Sequence, residues 1–211
     1  MFAEDEKSLG ERARKRRWVH VLDAFPDLRE MSVLDLGGTA KHWLRAPVQP
    51  RSVHVVNIAP QSPEVASWIR MEQGDACALP DSTRNGSYDL VYSNSVIEHV
   101  GGHQRREDFA EQVRASGAQH WVQTPYRYFP VEPHWIAPAM QFLPLRLRGA
   151  FGRRWPLGFS KGKPVRESVA EQLDIELLDI TMMKHYFPGD RLVYERVGPF
   201  VKSIVAVKQS G

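Results

Sequence analysis

The chain has 211 residues, of which 42% are hydrophobic and 25% are charged. This usage is ordinary for globular proteins and excludes a collagen, a disordered tail and a disulfide scaffold. The net charge of +3 is too small an excess to indicate a nucleic-acid partner. The single cysteine, Cys77, cannot form a disulfide within the chain. No apolar run approaches the ~20 residues that span a bilayer, and the acidic N-terminus lacks the apolar centre of a signal peptide. We therefore expect a cytoplasmic protein without a transmembrane segment.

An amphipathic helix is predicted over residues 8–27. Trp18, Leu22 and Phe25 recur at intervals of three to four residues, which places them on one face of a helix. Pro26 marks the end of this segment. The basic residues from Arg12 to Arg17 form either a solvated face or a contact with a ligand carboxylate or phosphate.

Short apolar runs then alternate with segments that are long enough for helices. The predicted strands are Val33–Leu36, Val53–Val56, Asp89–Tyr92 and Trp121–Thr124, followed by two late strands at Ile175–Met183 and Phe200–Lys208. The predicted helices are Thr39–Leu44, Pro63–Arg70 and Arg105–Ala115. Strands that alternate with helices indicate a doubly wound α/β domain with a mostly parallel sheet.

The segment between residues 125 and 166 differs from the rest of the chain. It is rich in aromatic residues and contains seven prolines, which disfavour long helices. From Pro133 to Arg166 there is no acidic residue and there are seven basic ones. We predict an inserted cap within a single domain spanning residues 1–211. Its basic stretch, residues 146–166, is either a solvated face or a contact surface for an anion.

Ligands of open α/β sheets bind at the carboxyl ends of the strands. The first predicted strand ends in Asp35-Leu36-Gly37-Gly38, whose glycines allow the backbone to approach a ligand closely. The second strand ends at Asn57, and Asp75 follows a further strand end. The third apolar run lies in YDLVYSNSVIEHV, residues 88–100.

These segments resemble the class I S-adenosylmethionine-dependent methyltransferases. VLDLGGTA, HVVNI, GDACALP and YDLVYSNSVIEHV are similar, in order and in spacing, to the first four motifs of the family, in its group with an Ile-Glu-His-Val signature. QTPYRYFPVEPHW, residues 123–135, resembles a segment of sugar and natural-product O-methyltransferases. The resemblance implies a Rossmann-like fold with an antiparallel last strand. It also implies methyl transfer to a small-molecule hydroxyl, with a sugar or saccharide as the first candidate.

The resemblance also implies the residues of a cofactor site. Those expected to hold S-adenosylmethionine are Asp35, Gly37, Gly38, Asn57, Ile58, Asp75, Ala76 and Ser93. Two positions depart from the family pattern: the glycine motif is Gly-Gly-Thr, and Asn57 stands where an acid is usual. Candidates for contacts with the acceptor are Tyr126, Arg127 and Trp135, since aromatic faces suit sugars and rings; packing is the other interpretation for both aromatics.

Two interpretations of Glu98 and His99 remain open. If Ser95 begins a helix, Ser95 and Glu98 form a capping box. Alternatively, Glu98, His99 and His134 hold a divalent metal ion, as in methyltransferases with a Glu-x-x-Glu-His motif. Manganese, iron or zinc would suit such imidazole ligands better than magnesium. His99 and His134 are also the candidate catalytic bases, because histidine titrates near neutral pH.

Two other functions fit the same sequence. One is 2'-O-methylation of a terminal ribose of RNA, which the basic stretch favours, although no known RNA-binding module is present. The other is a non-catalytic binding or scaffold protein of the same fold, which the Gly-Gly-Thr motif and Asn57 favour. The principal expectation is a small-molecule acceptor without a nucleic-acid partner, and a homodimer is a candidate assembly.

Overall fold

We describe the chain from a computed structural model that covers residues 9–59, 66–158 and 160–209, with the side chains of residues 9–14 left aside. The helices are α1 (Leu9–Ala24), α2 (Ala40–Leu44), α3 (Asp81–Arg84), α4 (His103–Ser116), α5 (Leu145–Gly152), α6 (Val165–Leu173) and α7 (Ile180–Tyr186). The strands are β1 (Ser32–Leu36), β2 (Ser52–Asn57), β3 (Ile69–Gln73), β4 (Tyr88–Asn94), β5 (Gly117–Pro125), β6 (Val131–Glu132), β7 (Ala137–Pro138), β8 (Arg191–Val197) and β9 (Phe200–Lys208). None of the helices in these ranges is both long and apolar enough to cross a membrane.

Seven strands form one sheet in the order β3-β2-β1-β4-β5-β9-β8. β1 pairs in parallel with both β2 and β4, and β2 pairs in parallel with β3. β1, β2 and β4 are rich in Val and Leu and are buried over most of their length, as is usual for strands of a parallel sheet. Only Gly198 and Pro199 separate β8 from β9, and so short a connection requires the two strands to be antiparallel. The predicted fold class is confirmed: the sheet is mostly parallel with one antiparallel strand near this end.

Two predicted elements are wrong in type. Ile69 and Arg70, placed in a predicted helix over residues 63–70, belong to β3, while residues 63–65 lie outside the described ranges. The predicted strand Ile175–Met183 instead leads into α7, because the Asp179 carboxylate caps that helix by accepting a hydrogen bond from the Met182 amide at 2.9 Å. In the sheet, β9 lies between β5 and β8.

The chain divides into two compact units. Unit 1 comprises the described parts of residues 1–93, 113–121 and 207–211. The helix predicted over residues 8–27 is present in unit 1 as α1, which ends at Ala24 and buries Trp18 and Val21, while residue 8 lies outside the described ranges. The Trp18 ring stacks on Tyr92 of β4, with ring centroids 6.2 Å apart.

Unit 2 comprises the described parts of residues 94–112 and 122–206. The aromatic and proline-rich segment of the sequence lies here and folds into the small β6-β7 ladder and α5. Trp135, Ala137 and Met140 are buried together and form an apolar cluster of their own. Whether this segment acts as a cap within one domain stays a prediction.

Phe25 follows α1 and makes an edge contact with Trp121 of β5, with ring centroids 6.4 Å apart. Its side chain is fully buried. We expect Phe25→Ala to lower the free energy of unfolding by about 3–5 kcal/mol, because it removes buried apolar area and leaves a cavity. Urea denaturation measures this change. Val19→Ala, at an exposed position of the same helix, serves as the control and is expected to change stability by less than ~0.5 kcal/mol. Equal effects of the two substitutions would contradict this packing.

Candidate active site

The loop after β1 is shaped by two glycines. Gly37 has a φ of 78°, which glycine adopts without strain. A Cβ on Gly38 would lie 1.7 Å from the Asp35 carboxylate, so the backbone there passes directly over that side chain. The Asn57 amide donates to the Gly37 carbonyl at 3.0 Å and to the Gly38 carbonyl at 2.8 Å. The loop is thus held in place from the end of the neighbouring strand.

The Asp35 carboxyl group lies buried beneath this loop. The Trp43 indole donates a hydrogen bond to its Oδ2 atom at 2.7 Å, while Oδ1 is buried without a partner among the described residues. Burial raises the pKa of Asp35 to about 7, and the Trp43 bond offsets only part of this effect. A positively charged ligand could therefore provide the counter-charge that the buried Asp35 carboxylate needs.

The ends of β2 and β3 carry the other predicted cofactor residues of unit 1. The Asn57 amide nitrogen donates to the glycine loop, and its Oδ1 accepts from the Ala59 amide. This side chain therefore stabilises the loop conformation. Ile58 is 72% exposed, which is unusual for a large apolar residue. Asp75 accepts from the Cys77 amide at 2.9 Å, and Ala76 is half-buried in the same turn.

Ser93, the last predicted cofactor residue, is completely buried near the end of β4. Its hydroxyl donates to the Leu36 carbonyl at 3.0 Å and thereby ties the ends of β4 and β1 together. The contacts of all these residues with a cofactor stay predictions.

The Ser95–His99 segment of unit 2 is a turn rather than a helix, and α4 begins only at His103. Ser95 has a φ of 57°, a conformation that is uncommon outside glycine. Its hydroxyl donates to the Gln123 side chain at 3.0 Å, and Glu98 accepts from the Thr124 hydroxyl at 3.0 Å. The capping-box interpretation of Ser95 and Glu98 is therefore wrong, because no helix begins there and both side chains bond to β5.

His99 and His134 meet through their ring nitrogens, with the two Nε2 atoms 3.2 Å apart. Glu132 lies 2.7 Å from Nδ1 of His134 and also accepts from the Trp135 amide at 2.7 Å. In the neutral imidazole, a carboxylate at Nδ1 favours the tautomer with the proton on Nδ1, which leaves the lone pair on Nε2 of His134. Burial, followed by the neighbouring His134, lowers the pKa of His99 to about 4. His99 is consequently neutral at pH 7.

Glu98, His99 and His134 meet the geometric requirement for a shared cation. One ligand atom from each lies within 4.8 Å of the others. The pairing of Glu132 with His134 follows the carboxylate–histidine arrangement that orients metal-bound imidazoles. Two imidazoles and one carboxylate suit manganese, iron or zinc.

A second cluster, which the sequence reasoning missed, joins α4 to α7 of unit 2. His103, Glu107 and His185 also place ligand atoms within 4.8 Å of one another, and His185 lies 2.7 Å from the Glu107 carboxylate. The signal was available, because His103 and Glu107 are four residues apart and share one helix face. Their partner His185 has no motif around it.

The predicted acceptor-binding residues have different surroundings. Tyr126 is partly exposed and meets Tyr128 edge to face, with ring centroids 5.5 Å apart. Trp135 is buried, and its indole donates to the Ser160 hydroxyl at 3.0 Å. Arg127 and Trp135 both line a cavity of about 250 Å³ within unit 2. A larger cavity of about 460 Å³ lies in unit 1 beside Ser52 and Tyr88, at the amino ends of β2 and β4 and therefore away from the motif residues.

No protein-family model and no curated protein matches the sequence. Solved structures do match. The N-terminal domain of EvdMO1 with bound S-adenosylhomocysteine is 16% identical over 99% of this chain and 82% of that one, with a TM-score of 0.55. The same domain was also solved in the presence of S-adenosylhomocysteine and D-fucose, with a TM-score of 0.54.

Two further structures match almost the whole chain. Magnesium protoporphyrin IX methyltransferase from Synechocystis PCC 6803, with bound S-adenosylhomocysteine, is 12% identical over 99% of this chain and 90% of that one, with a TM-score of 0.53. Small RNA methyltransferase HEN1 is 15% identical over 98% of this chain but 26% of that one, with a TM-score of 0.56. This chain has the class I fold of S-adenosylmethionine-dependent methyltransferases.

The raised pKa of Asp35 predicts how stability depends on pH. The folded state keeps the Asp35 proton between the ordinary pKa of 3.8 and about 7, whereas the unfolded chain loses it, so this group destabilises the fold as the pH rises through that window. Asp35→Asn keeps an acceptor for Trp43 and removes the titration. We expect it to gain stability relative to the unchanged protein between pH 5 and pH 8, by on the order of a few kcal/mol.

Urea denaturation at the two pH values measures this gain. Asp81→Asn, at an exposed position of α3, is the control and should keep the original pH dependence. If the free energy of unfolding changes with pH in the same way for Asp35→Asn and the unchanged protein, Asp35 is already ionised in the folded state at pH 5. That result would contradict a raised pKa.

Proposed function

We propose that this protein is an S-adenosylmethionine-dependent O-methyltransferase of the Ile-Glu-His-Val group that acts on a hydroxyl of a small molecule. The observation that carries the proposal is that the predicted cofactor motifs fall at the carboxyl ends of adjacent parallel strands, in a fold shared with structures that hold S-adenosylhomocysteine. A saccharide is the first candidate acceptor, in keeping with the EvdMO1 domain solved in the presence of D-fucose. A cytoplasmic location fits a chain whose single cysteine, Cys77, cannot form a disulfide within the chain.

The proposed cofactor site consists of Asp35, Gly37, Gly38, Asn57, Ile58, Asp75, Ala76 and Ser93. S-adenosylmethionine supplies a methyl group on a positively charged sulfonium. The unpartnered Oδ1 of Asp35 fits a ligand whose methionine part carries positive charge, because such a ligand would offset the cost of burying the carboxylate. The exposed side chain of Ile58 offers an apolar surface to the adenine ring.

His134 is the better candidate for the base that removes the proton of the acceptor hydroxyl. Its Nε2 has a lone pair, and Glu132 both orients the ring and stabilises the imidazolium that forms. His99 is less suited to this role, because a pKa of about 4 makes it a weak base at neutral pH. A neutral His99 is better suited to binding a metal ion.

Glu98, His99 and His134 are proposed to hold a divalent metal ion. Such an ion would polarise the acceptor hydroxyl and lower its pKa. Nε2 of His134 cannot bind a metal and accept a proton at the same time. The two uses of His134 are therefore distinguished by whether activity requires metal.

RNA terminal-ribose 2'-O-methylation is the second candidate. The likeness to small RNA methyltransferase HEN1 favours it, together with the Glu98-His99-His134 cluster and the basic stretch at residues 146–166. If RNA is the substrate, its affinity should fall steeply as salt rises, because phosphate contacts release counterions. A weak affinity with little dependence on salt would remove this candidate.

The role of His134 is tested by His134→Gln, which keeps a polar side chain but cannot act as a base. We expect the rate of methyl transfer from labelled S-adenosylmethionine to a saccharide acceptor to fall by about 10²–10⁴-fold. Cofactor affinity should be unchanged, since the substitution lies outside the proposed cofactor residues. His185→Gln is the control and should retain full activity. An unchanged rate for His134→Gln would contradict the assignment of the base.

The metal is tested on protein stripped with EDTA. We expect Mn²⁺ to restore methyl transfer in the unchanged protein and in His185→Ala, but not in His99→Ala, because only the last variant removes a ligand of the proposed site. Calorimetric titration with Mn²⁺ separates binding at the two clusters. Equal Mn²⁺ affinity of His99→Ala and His185→Ala, or full activity in EDTA, would contradict a metal at Glu98-His99-His134.

A further inference from the structure

The cavity of about 250 Å³ in unit 2 is lined by charged and amide side chains that the proposed chemistry does not use. Six of the residues that line it are Arg127, Glu132, Trp135, Arg148, Gln172 and Glu176. Arg148 comes from α5 and Gln172 from α6, and these two helices pack against each other. The volume lies below the ~300–1,000 Å³ of sites for drug-sized ligands, so the cavity suits a small group or a monosaccharide.

The positive charges of this cavity lack partners, whereas its negative charges have them. Neither the Arg127 nor the Arg148 guanidinium forms a hydrogen bond or ion pair with a residue that the structure describes. Both oxygens of Glu132 accept hydrogen bonds, from His134 and from the Trp135 amide. Glu176 forms an ion pair with the buried Arg106. The two guanidiniums are therefore charged donors that line the cavity without a hydrogen-bond partner among the described residues.

Buried polar atoms without partners extend this pattern. Among the described residues, Nε of Arg148 and Nε2 of Gln172 are buried donors that meet no acceptor. The Gln172 side chain is only 3% exposed, so water does not compensate it. The Gln141 amide nitrogen donates to the Arg127 and Phe129 carbonyls, which fixes the orientation of the amide. Its Oε1 is a buried acceptor without a partner among the described residues. A buried polar atom without a partner destabilises the fold, and a ligand that bonds to it removes this cost.

The surroundings of Arg148 disfavour its positive charge. Burial, followed by repulsion from Arg127, lowers the pKa of Arg148 below its ordinary value, and attraction to Glu132 does not compensate. An anion placed between the two guanidiniums would reverse this balance. Arginine also binds carboxylates and phosphates through two parallel hydrogen bonds.

We propose that this cavity binds the anionic group of a hydroxyl-bearing small molecule, through Arg127, Arg148 and Gln172, with Gln141 accepting from a ligand hydroxyl. A sugar acid and a sugar phosphate share this chemistry. The anion site stands on the cavity alone, whereas its use as part of a methyl acceptor rests on the proposed function. Glu132 links the two, since it lines the cavity and also accepts from the candidate base His134.

The test is calorimetric titration, without S-adenosylmethionine, with D-glucuronate, D-glucose 6-phosphate and neutral D-glucose. At least one anionic sugar should bind about tenfold more tightly than glucose, a preference of about 1.4 kcal/mol. The stronger of the two anionic sugars identifies the charged group. Arg148→Met should weaken binding of that sugar by about tenfold or more. Arg146→Met, on the exposed surface of the same helix, should bind it as the unchanged protein does.

A thermal melt provides a second readout that separates a lost site from a damaged fold. Arg148→Met should melt at or above the temperature of the unchanged protein, because it removes a half-buried charge whose Nε atom has no partner among the described residues. The anionic sugar should raise the melting temperature of the unchanged protein only. Equal binding of glucose and both anionic sugars, or full binding by Arg148→Met, would overturn the anion site. If anionic sugars bind but are never methylated, the anion site stands and only its link to methyl transfer fails.

Discussion

The burial of the Asp35 carboxyl group beneath a two-glycine loop is the constraint on which the proposed cofactor site depends. The backbone at Gly38 passes so close to this group that no side chain fits between them. Trp43 satisfies one carboxyl oxygen, and Asn57 holds the loop from the next strand. Burial of the Asp35 carboxylate at the end of β1 is therefore electrostatically unfavourable. A cationic ligand at this position would offset the cost.

In unit 2, Glu132 has a similar organising role. It accepts from His134, which sets the tautomer of the candidate base, and from the Trp135 amide, which fixes the start of the apolar cluster. Glu132 also lines the cavity that Arg127 and Arg148 share, where it forms no hydrogen bond with either guanidinium. One carboxylate thereby connects a candidate reacting group with a candidate binding site for the charged end of a substrate.

The parallel sheet could be predicted from the sequence because its strands are local apolar runs that end in glycine or polar residues. Two elements escaped for physical reasons. β3 is short and alternates apolar with charged residues. α7 follows a mostly apolar run, and the start of this helix depends on the Asp179 cap. For β3, pairing with β2 in the sheet outweighs local propensity, whereas α7 depends on a local cap.

The candidate site shows the same division. The motif residues of unit 1 and the Glu98-His99-His134 cluster could be found from local patterns, and the structure brings the cluster together. The cavity residues Arg148 and Gln172 could not, because they become neighbours only when α5 and α6 pack. No spacing in the sequence encodes that contact.

Calorimetric titration of the protein with S-adenosylmethionine, with and without EDTA, tests the central claim most directly. The account predicts binding of one molecule per chain with a dissociation constant on the order of micromolar, near −8 kcal/mol. Asp35→Asn should bind more weakly, because it removes the charge that faces the ligand. No detectable binding by the folded, unchanged protein would contradict the account and would favour a non-catalytic protein that keeps the methyltransferase fold.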